Sequence, residues 1–381
     1  THDANDDGFA DIPQVKQYNL FNRWAYMGDN YIFQAGIKAL DEKRTSGQVA
    51  HGGHTLSNPY LIHMNTDRYE AFVKQAYVFD KEHNTNLALI TAATIHEMDA
   101  SYGHKRYNVD QQNAYASLIF ETDFTEQHTL STGLSFYYDR YDQDYRLSND
   151  AAEALTPQVD KEAVTGGYAQ YTYKPTDKLT LMMGLRGDYS NVYGFFVTPR
   201  ANVRYAPSDL ITLRASAGKG YRTNHVLAEN NFLLASSRTV RIADDLKQEE
   251  AWNYGASIAT YIPIAGKTLN LNAEYYYTDF VHQVVVDMDS NPHEVAFTNL
   301  DGRSFSHVFQ VEATYPFFDG FSLMAAWRMT KVKNEINGIL YEKSLTGKCS
   351  FPVRDAYRVV PPIFAMSAFY LQVTKKADIF N

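Results

Sequence analysis

The residues with the plainest chemistry stand near the N-terminus. In the run Asp3-Ala4-Asn5-Asp6-Asp7-Gly8-Phe9-Ala10-Asp11, oxygen donors on Asp3, Asn5, Asp7 and Asp11 recur ahead of and after a glycine. Hard donors at every second position let one tight turn wrap a cation, which is the logic of a calcium loop. Position twelve is Gln14 rather than a bidentate Glu, so a solvated acidic loop is the alternative. His51-Gly52-Gly53-His54, with His63 and Met64 downstream, gathers imidazoles suited to zinc, copper, nickel or haem iron. A Gly-rich loop with incidental histidines explains the same run. Gly218-Lys219-Gly220 lacks the Ser/Thr and the helix of a phosphate cradle, and its glycines fit a bent strand better. Ser304, Ser306 and His307 bring a nucleophile near a base, but neighbours in a strand face opposite sides and nothing supplies an orienting group. No enzyme is expected.

The composition limits what can position these residues. With 381 residues, 45% hydrophobic and 21% charged, the chain folds rather than staying disordered. A net charge of −9 with dispersed Lys and Arg argues against nucleic acid. The single Cys349 rules out an internal disulfide and a cysteine metal cluster. The longest apolar run, 359–373, is short for a spanning helix and is broken by Pro361-Pro362. Tyr and Phe, 29 and 22 of them against 3 Trp, favour strands and the aromatic girdles of a bilayer. Thr1 in place of an initiating Met points to a fragment or a processed chain.

The strands themselves are written in period two. Val197, Pro199, Ala201, Val203 and Tyr205 alternate with Thr198, Arg200, Asn202 and Arg204; after the turn Pro207-Ser208-Asp209, Ile211, Leu213, Ala215 and Ala217 alternate with Thr212, Arg214, Ser216 and Gly218. The same rule predicts strands at 14–27, 31–46, 66–81, 87–103, 107–123, 129–147, 161–174, 178–192, 195–206, 210–221, 248–263, 268–286, 303–316 and 321–336. Every second connection is short, and most of the others, 46–65, 149–160, 223–247 and 287–301, are long, although those near Lys105 and Gly194 are tight. Short turns at one end and long loops at the other mark an outer-membrane barrel. That predicts an all-β, antiparallel transmembrane β-barrel, with about fourteen strands in residues 1–348 and an atypical tail, 349–381, outside the wall. Leu213, Val203, Leu271, Tyr275 and Val311 should face lipid; Arg200, Arg214, Asn272, Glu274 and Glu312 should face the lumen. Arg186, Arg200, Arg204, Arg214 and Arg328 read as lumen charge that holds a plug or guides an anionic ligand.

The stretch TPRANVRYAPSDLITLRASAGKGYRTNHVLAEN, with Gln248-Glu249-Glu250-Ala251-Trp252-Asn253 and Glu274-Tyr275-Tyr276-Tyr277-Thr278-Asp279-Phe280, resembles the barrel of TonB-dependent outer-membrane receptors, in the form found in Bacteroidetes. The resemblance implies a wall of about 22 strands around a plug domain, which this sequence lacks. It further implies active uptake of a bulky scarce solute, such as a siderophore, haem, cobalamin or similar chelate, across the outer membrane of a Gram-negative bacterium. The implied partners are outer-membrane lipid, the TonB complex acting through the plug, and the chelate. A passive porin and an outer-membrane barrel enzyme are the alternatives.

Overall fold

Alternation at period two forces an extended chain, and the computed structural model is built almost wholly of strands. It describes residues 3–49, 57–288, 290–318, 321–336, 338–342, 349–359 and 363–373, the last two segments as backbone. The first ten strands are β1 (Gln14–Met27), β2 (Tyr31–Gly47), β3 (Leu61–Asp80), β4 (Thr85–Tyr102), β5 (Lys105–Thr125), β6 (His128–Arg146), β7 (Thr156–Thr176), β8 (Leu179–Ser190), β9 (Gly194–Ser208) and β10 (Ile211–Arg222). After a short helix, α1 (Val226–Asn230), come β11 (Thr239–Ile242), β12 (Glu249–Ile264), β13 (Lys267–His282), β14 (Val284–Asp287) and β15 (Glu294–Asn299). The chain continues with β16 (Ser304–Phe318), β17 (Phe321–Ile336), β18 (Ile339–Glu342), β19 (Cys349–Val359) and β20 (Ile363–Val373).

Each wall strand pairs antiparallel with the next one in sequence, from β1 to β10 and then through β12, β13, β16 and β17. The connections therefore sort to two ends: 28–30, 81–84, 126–127, 177–178, 209–210 and 265–266 lie at the turn end, and 48–60, 147–155, 223–248 and 283–303 at the loop end. All fourteen expected strands are present, with shifted ends. β3 starts at Leu61, earlier than expected, because residues 61–65 continue the ladder as far as Leu61↔Gly47.

Register then sorts the side chains. Leu213, Ile258, Ala273, Val311 and Trp327 form one row of opposed partners across five strands, and Arg214, Ser257, Glu274, Gln310 and Arg328 form the adjacent row. One step along every strand thus exchanges an apolar face for a polar one, as the facing expectation requires. Exposure shows which face is covered: Leu134 and Met183 on the apolar face are 66% and 69% exposed, whereas Asp139 and Asp188 on the polar face are 3% and 4% exposed. A water-soluble protein orders its faces the other way. Apolar outside and polar inside is the arrangement for lipid around a wet lumen.

One expected strand needs correction, one long loop holds structure of its own, and the tail carries two further strands. The strand expected at 268–286 leaves the wall after His282. The apolar run Val284-Val285-Val286 does form a strand, but β14 pairs with β15, and β15 pairs parallel with β11 in a separate three-stranded sheet. The Glu249 carboxylate accepts the Val284 N–H at 3.2 Å where the chain departs. The long loop 223–247 also holds α1 and a 3₁₀ turn over Asn231–Ala235, pieces too short to show a helical period. In the tail, β19 ladders onto β17 (Phe321↔Tyr357 to Met329↔Cys349) and β20 onto β19, so the sheet continues beyond Lys348. A backbone ladder needs only N–H and C=O groups; Pro352 lies within β19 and forgoes one donor there, while Pro361 and Pro362 fall between the two strands. At the other side, β1 pairs only with β2 among the described residues, and every residue of β1 is exposed. In a bilayer such an edge needs a further strand.

Candidate functional site

The polar face changes character at the loop end of β4 and β5. There Met98, Ala100 and Tyr102 on β4 stand beside Tyr107 and Val109 on β5, an apolar patch on an otherwise wet surface. The chain between these strands is the tight turn at 103–104, too short to cover the patch. Two loops from across the wall do so instead. Leu227 of α1, Leu234 of the 3₁₀ turn, Val240 of β11 and Val295 and Phe297 of β15 bury themselves against it. Register puts the patch on the same face as Gln111, Asp139 and Glu162. The loops of 223–247 and 283–301 are therefore folded over the lumen, not splayed outward.

Polar bonds hold this cap down. Lys105, only 1% exposed, donates from Nζ to the carbonyls of Ser236 and Arg238 at 2.8 and 2.6 Å. The Tyr102 hydroxyl donates to Asn231 Oδ1 at 2.7 Å, and the Tyr60 hydroxyl donates to the Ala235 carbonyl at 3.0 Å. Burial pushes the pKa of the Tyr60 phenol up, which keeps that donor protonated. His225 stacks on Tyr141 with ring centres 3.9 Å apart. At the rim Arg222 joins Glu249 and Glu229 at 2.7 and 2.9 Å, tying the first residues of the loop to the wall.

Beneath the cap the polar face is charged in two zones. On β6 to β8, Asp139 accepts from Gln111 and Tyr137, Asp160 from Gln143 and Gln158, and Glu162 from Ser190. Arg186 is clamped by Asp188 at 2.7 and 2.6 Å and by Ser135 at 2.6 Å. On β9 and β10 the balance reverses: Arg200, Arg204 and Arg214 form no ion pair among the described residues. Next to them lies a recess of about 620 Å³ whose lining includes Arg200, Asn202, Ser216, Gly218 and Asn253, with the ion pairs Arg222–Glu249 and Lys219–Glu250 at its border. That volume suits a small molecule.

The residues singled out for chemistry behave differently. In the N-terminal turn, Asp3 Oδ2 accepts the Gly8 N–H at 2.9 Å, Asp7 Oδ1 the Phe9 N–H at 2.8 Å, Asp11 Oδ2 the Ala4 N–H at 2.7 Å, and Asn5 Oδ1 the Asp7 N–H at 3.3 Å. Their oxygens are occupied with the turn's own backbone, and among the described residues no three carboxylates or imidazoles gather to hold a metal ion. His51 and His54 lie outside the described residues. His63 bonds Thr45 at 3.2 Å, while Met64 packs against the cap's apolar cluster. Ser304 donates to Asn334 on the polar face, and His307 bonds Tyr275 on the apolar face, so the two point apart. Sequence reasoning missed the cap. Its one signal was the apolar content of 226–242 and 295–297 inside loops that water alone would have left polar.

The family of TonB-dependent receptor-like β-barrels matches residues 1–349. The chain belongs to that family. The match ends where β19 begins. Among solved structures, the alcaligin outer-membrane receptor FauA of Bordetella pertussis superposes with a TM-score of 0.61 at 15% identity, over 91% of this chain and 57% of that one. The ferripyoverdine receptor of Pseudomonas aeruginosa gives 0.64 at 13% identity, over 91% and 52%. The copper transporter OprC gives 0.68 at 12% identity, over 91% and 56%. At such identities the likeness is one of fold. This chain of the TonB-dependent family spans a little over half the length of these structures, and its place is the outer membrane of a Gram-negative cell. No curated protein matches its sequence.

Proposed function

We propose that the protein carrying this chain is an outer-membrane receptor for active uptake of a bulky, scarce solute, such as a siderophore, haem, cobalamin or similar chelate. The observation that carries this reading is the capped mouth. Two long loops, 223–247 and 283–301, are packed over the polar face and bonded to it, which suits capture and admission of one solute better than free diffusion. Energy would come from the TonB complex, acting through the plug domain that the family's barrels enclose. Uptake of this kind requires no bond of the solute to be made or broken, and the Ser304 and His307 pair faces apart. A passive porin has no need of a cap held by a buried lysine. In cells bearing the complete protein, uptake of labelled ferric chelates, haem or cobalamin is expected to stop when TonB is deleted. Uptake that continues unchanged without TonB would establish the porin.

A calcium ion at the Asp3–Asp11 turn forms part of this proposal. Asp3, Asn5, Asp7 and Asp11 share one turn at the loop end, joined to β2 by the Phe9↔Gln48 bridge. Binding asks their oxygens to exchange backbone N–H partners for the ion. Titration with calcium should release or absorb heat in the intact protein and not in Asp7→Ala; no heat in either removes calcium from the account.

A further inference from the structure

We infer that Arg204, Arg214 and Arg200 form an anion-binding track on the polar face of β9 and β10, and that the admitted solute carries carboxylate or phosphate groups. The inference rests on the uptake reading and names its substrate class. Arg204 and Arg214 are direct cross-strand partners. Like charges so placed repel, their Cα atoms being about 4.5–5.5 Å apart. A wall that only needed to be wet would carry Ser or Asn there, as it does one step on at Asn202 and Ser216. Among the described residues neither arginine of the pair forms an ion pair. Along their row the partners are Thr180 on one side and Ser257 on the other, and Glu274 stands beyond Ser257. That carboxylate is two strand spacings from Arg214, about 10 Å.

Arg200 is open for a different reason. Its two cross-strand partners are glycines, Gly184 and Gly218. A side chain at Gly218 would meet nothing nearer than 3.5 Å, and one at Gly220 would meet nothing within 4 Å. The absence of side chains there opens the 620 Å³ recess, which Arg200 lines with Asn202, Ser216 and Asn253 as further polar contacts; Glu249 and Glu250 line it too, but their charge is taken up by Arg222 and Lys219. A planar guanidinium beside such a hollow can take a carboxylate or phosphate by two parallel bonds.

The arginines of this face are also graded along the barrel axis. Nearest the loop end, Arg222 is neutralised by Glu249 and Glu229; deeper in, Arg186 is neutralised by Asp188. Arg200 and then the pair Arg204 and Arg214, nearest the turn end, form no ion pair among the described residues. Arg200 and Arg204 are four residues apart on one strand, about 13 Å. An anion released beneath the cap thus meets positive charge that is increasingly unopposed on its way inward. The recess favours a small anion over an acidic polypeptide, which would need a surface rather than a hollow.

The test uses the complete protein in lipid nanodiscs, with citrate as the probe. Wild type should bind citrate saturably, more weakly at high salt. Arg204→Gln with Arg214→Gln should weaken it at least tenfold, since a hydrogen bond to a charged group is worth roughly 1.5–3 kcal/mol. Heat-modified gel mobility reports that each variant is folded. Saturable binding that is unchanged in the folded double variant, or no saturable binding by wild type, overturns the track. So does unchanged citrate binding combined with release of a lumenal segment to trypsin, which would assign the arginines to holding protein. Chelate uptake in cells separates this inference from the uptake reading. TonB-independent uptake defeats the latter even where citrate binds, and TonB-dependent uptake at the wild-type rate in the double variant defeats only the track.

Discussion

With Leu271 near the bilayer midplane, Leu271→Arg is expected to destabilise the barrel by about 2–4 kcal/mol, and Asn272→Arg by far less. The two positions are consecutive on β13, so strand propensity, depth and distance from the turn at 265–266 are nearly the same for both. They differ in face. Leu271 opposes Thr260 and Ala313, on the apolar face between Ile258 and Ile262, whereas Asn272 opposes Ala259 and Glu312 on the face that carries Glu274 and Arg214. An arginine at 271 must desolvate or drag water into lipid, and one at 272 enters water beside a carboxylate. Reversible unfolding by urea in phospholipid vesicles gives the two costs. Equal costs would mean that the faces are not sorted between lipid and lumen.

Phe297→Ala should detach the cap while leaving the wall intact. Phe297 is 2% exposed and sits in the apolar cluster that joins β15 to β4 and β5. Emptying such a site costs about 3–5 kcal/mol, and here that cost falls on a small sheet held by few other contacts. Local opening should follow, since a three-stranded unit has little burial of its own. Trypsin cleavage after Arg238 or Arg241 is expected to quicken by at least tenfold, with unfolding of the wall unmoved. Cleavage at the wild-type rate would show that the loops are held by something other than this cluster.

The wall was legible in the sequence because lipid on one side and water on the other impose the same alternation on every strand. The fourteen strands and the facing of Leu213, Leu271, Arg214 and Glu274 follow from that single rule. The cap was not legible, because it obeys another rule. Its residues, such as Leu227, Val240 and Phe297, are apolar for the sake of one patch on β4 and β5, more than a hundred residues away in the chain, and its helix and strands are too short to show a period. Val284–Asp287 was misassigned for that reason: apolar residues next to a wall strand look like more wall. The tail is a different case. Alternation reports on side chains, while the pairing of β19 with β17 is made by backbone. Of the candidate site, the arginines were visible as inward charge, but which of them are neutralised depends on Asp188, Glu229 and Glu249. That became known only once the register and the path of the loop were in place.

Sided labelling tests the account most directly, because a membrane-spanning wall with one outward rim fixes where each connection must lie. With Cys349 replaced by Ser, single cysteines at Glu153 in a long loop and at Glu82 in a short turn would be exposed in turn to a membrane-impermeant maleimide, using intact cells bearing the complete protein. Cysteine at 153 should react in intact cells, and cysteine at 82 only after the outer membrane is opened. Reaction at 82 but not at 153 in intact cells, or equal reaction at both, would contradict the barrel as described.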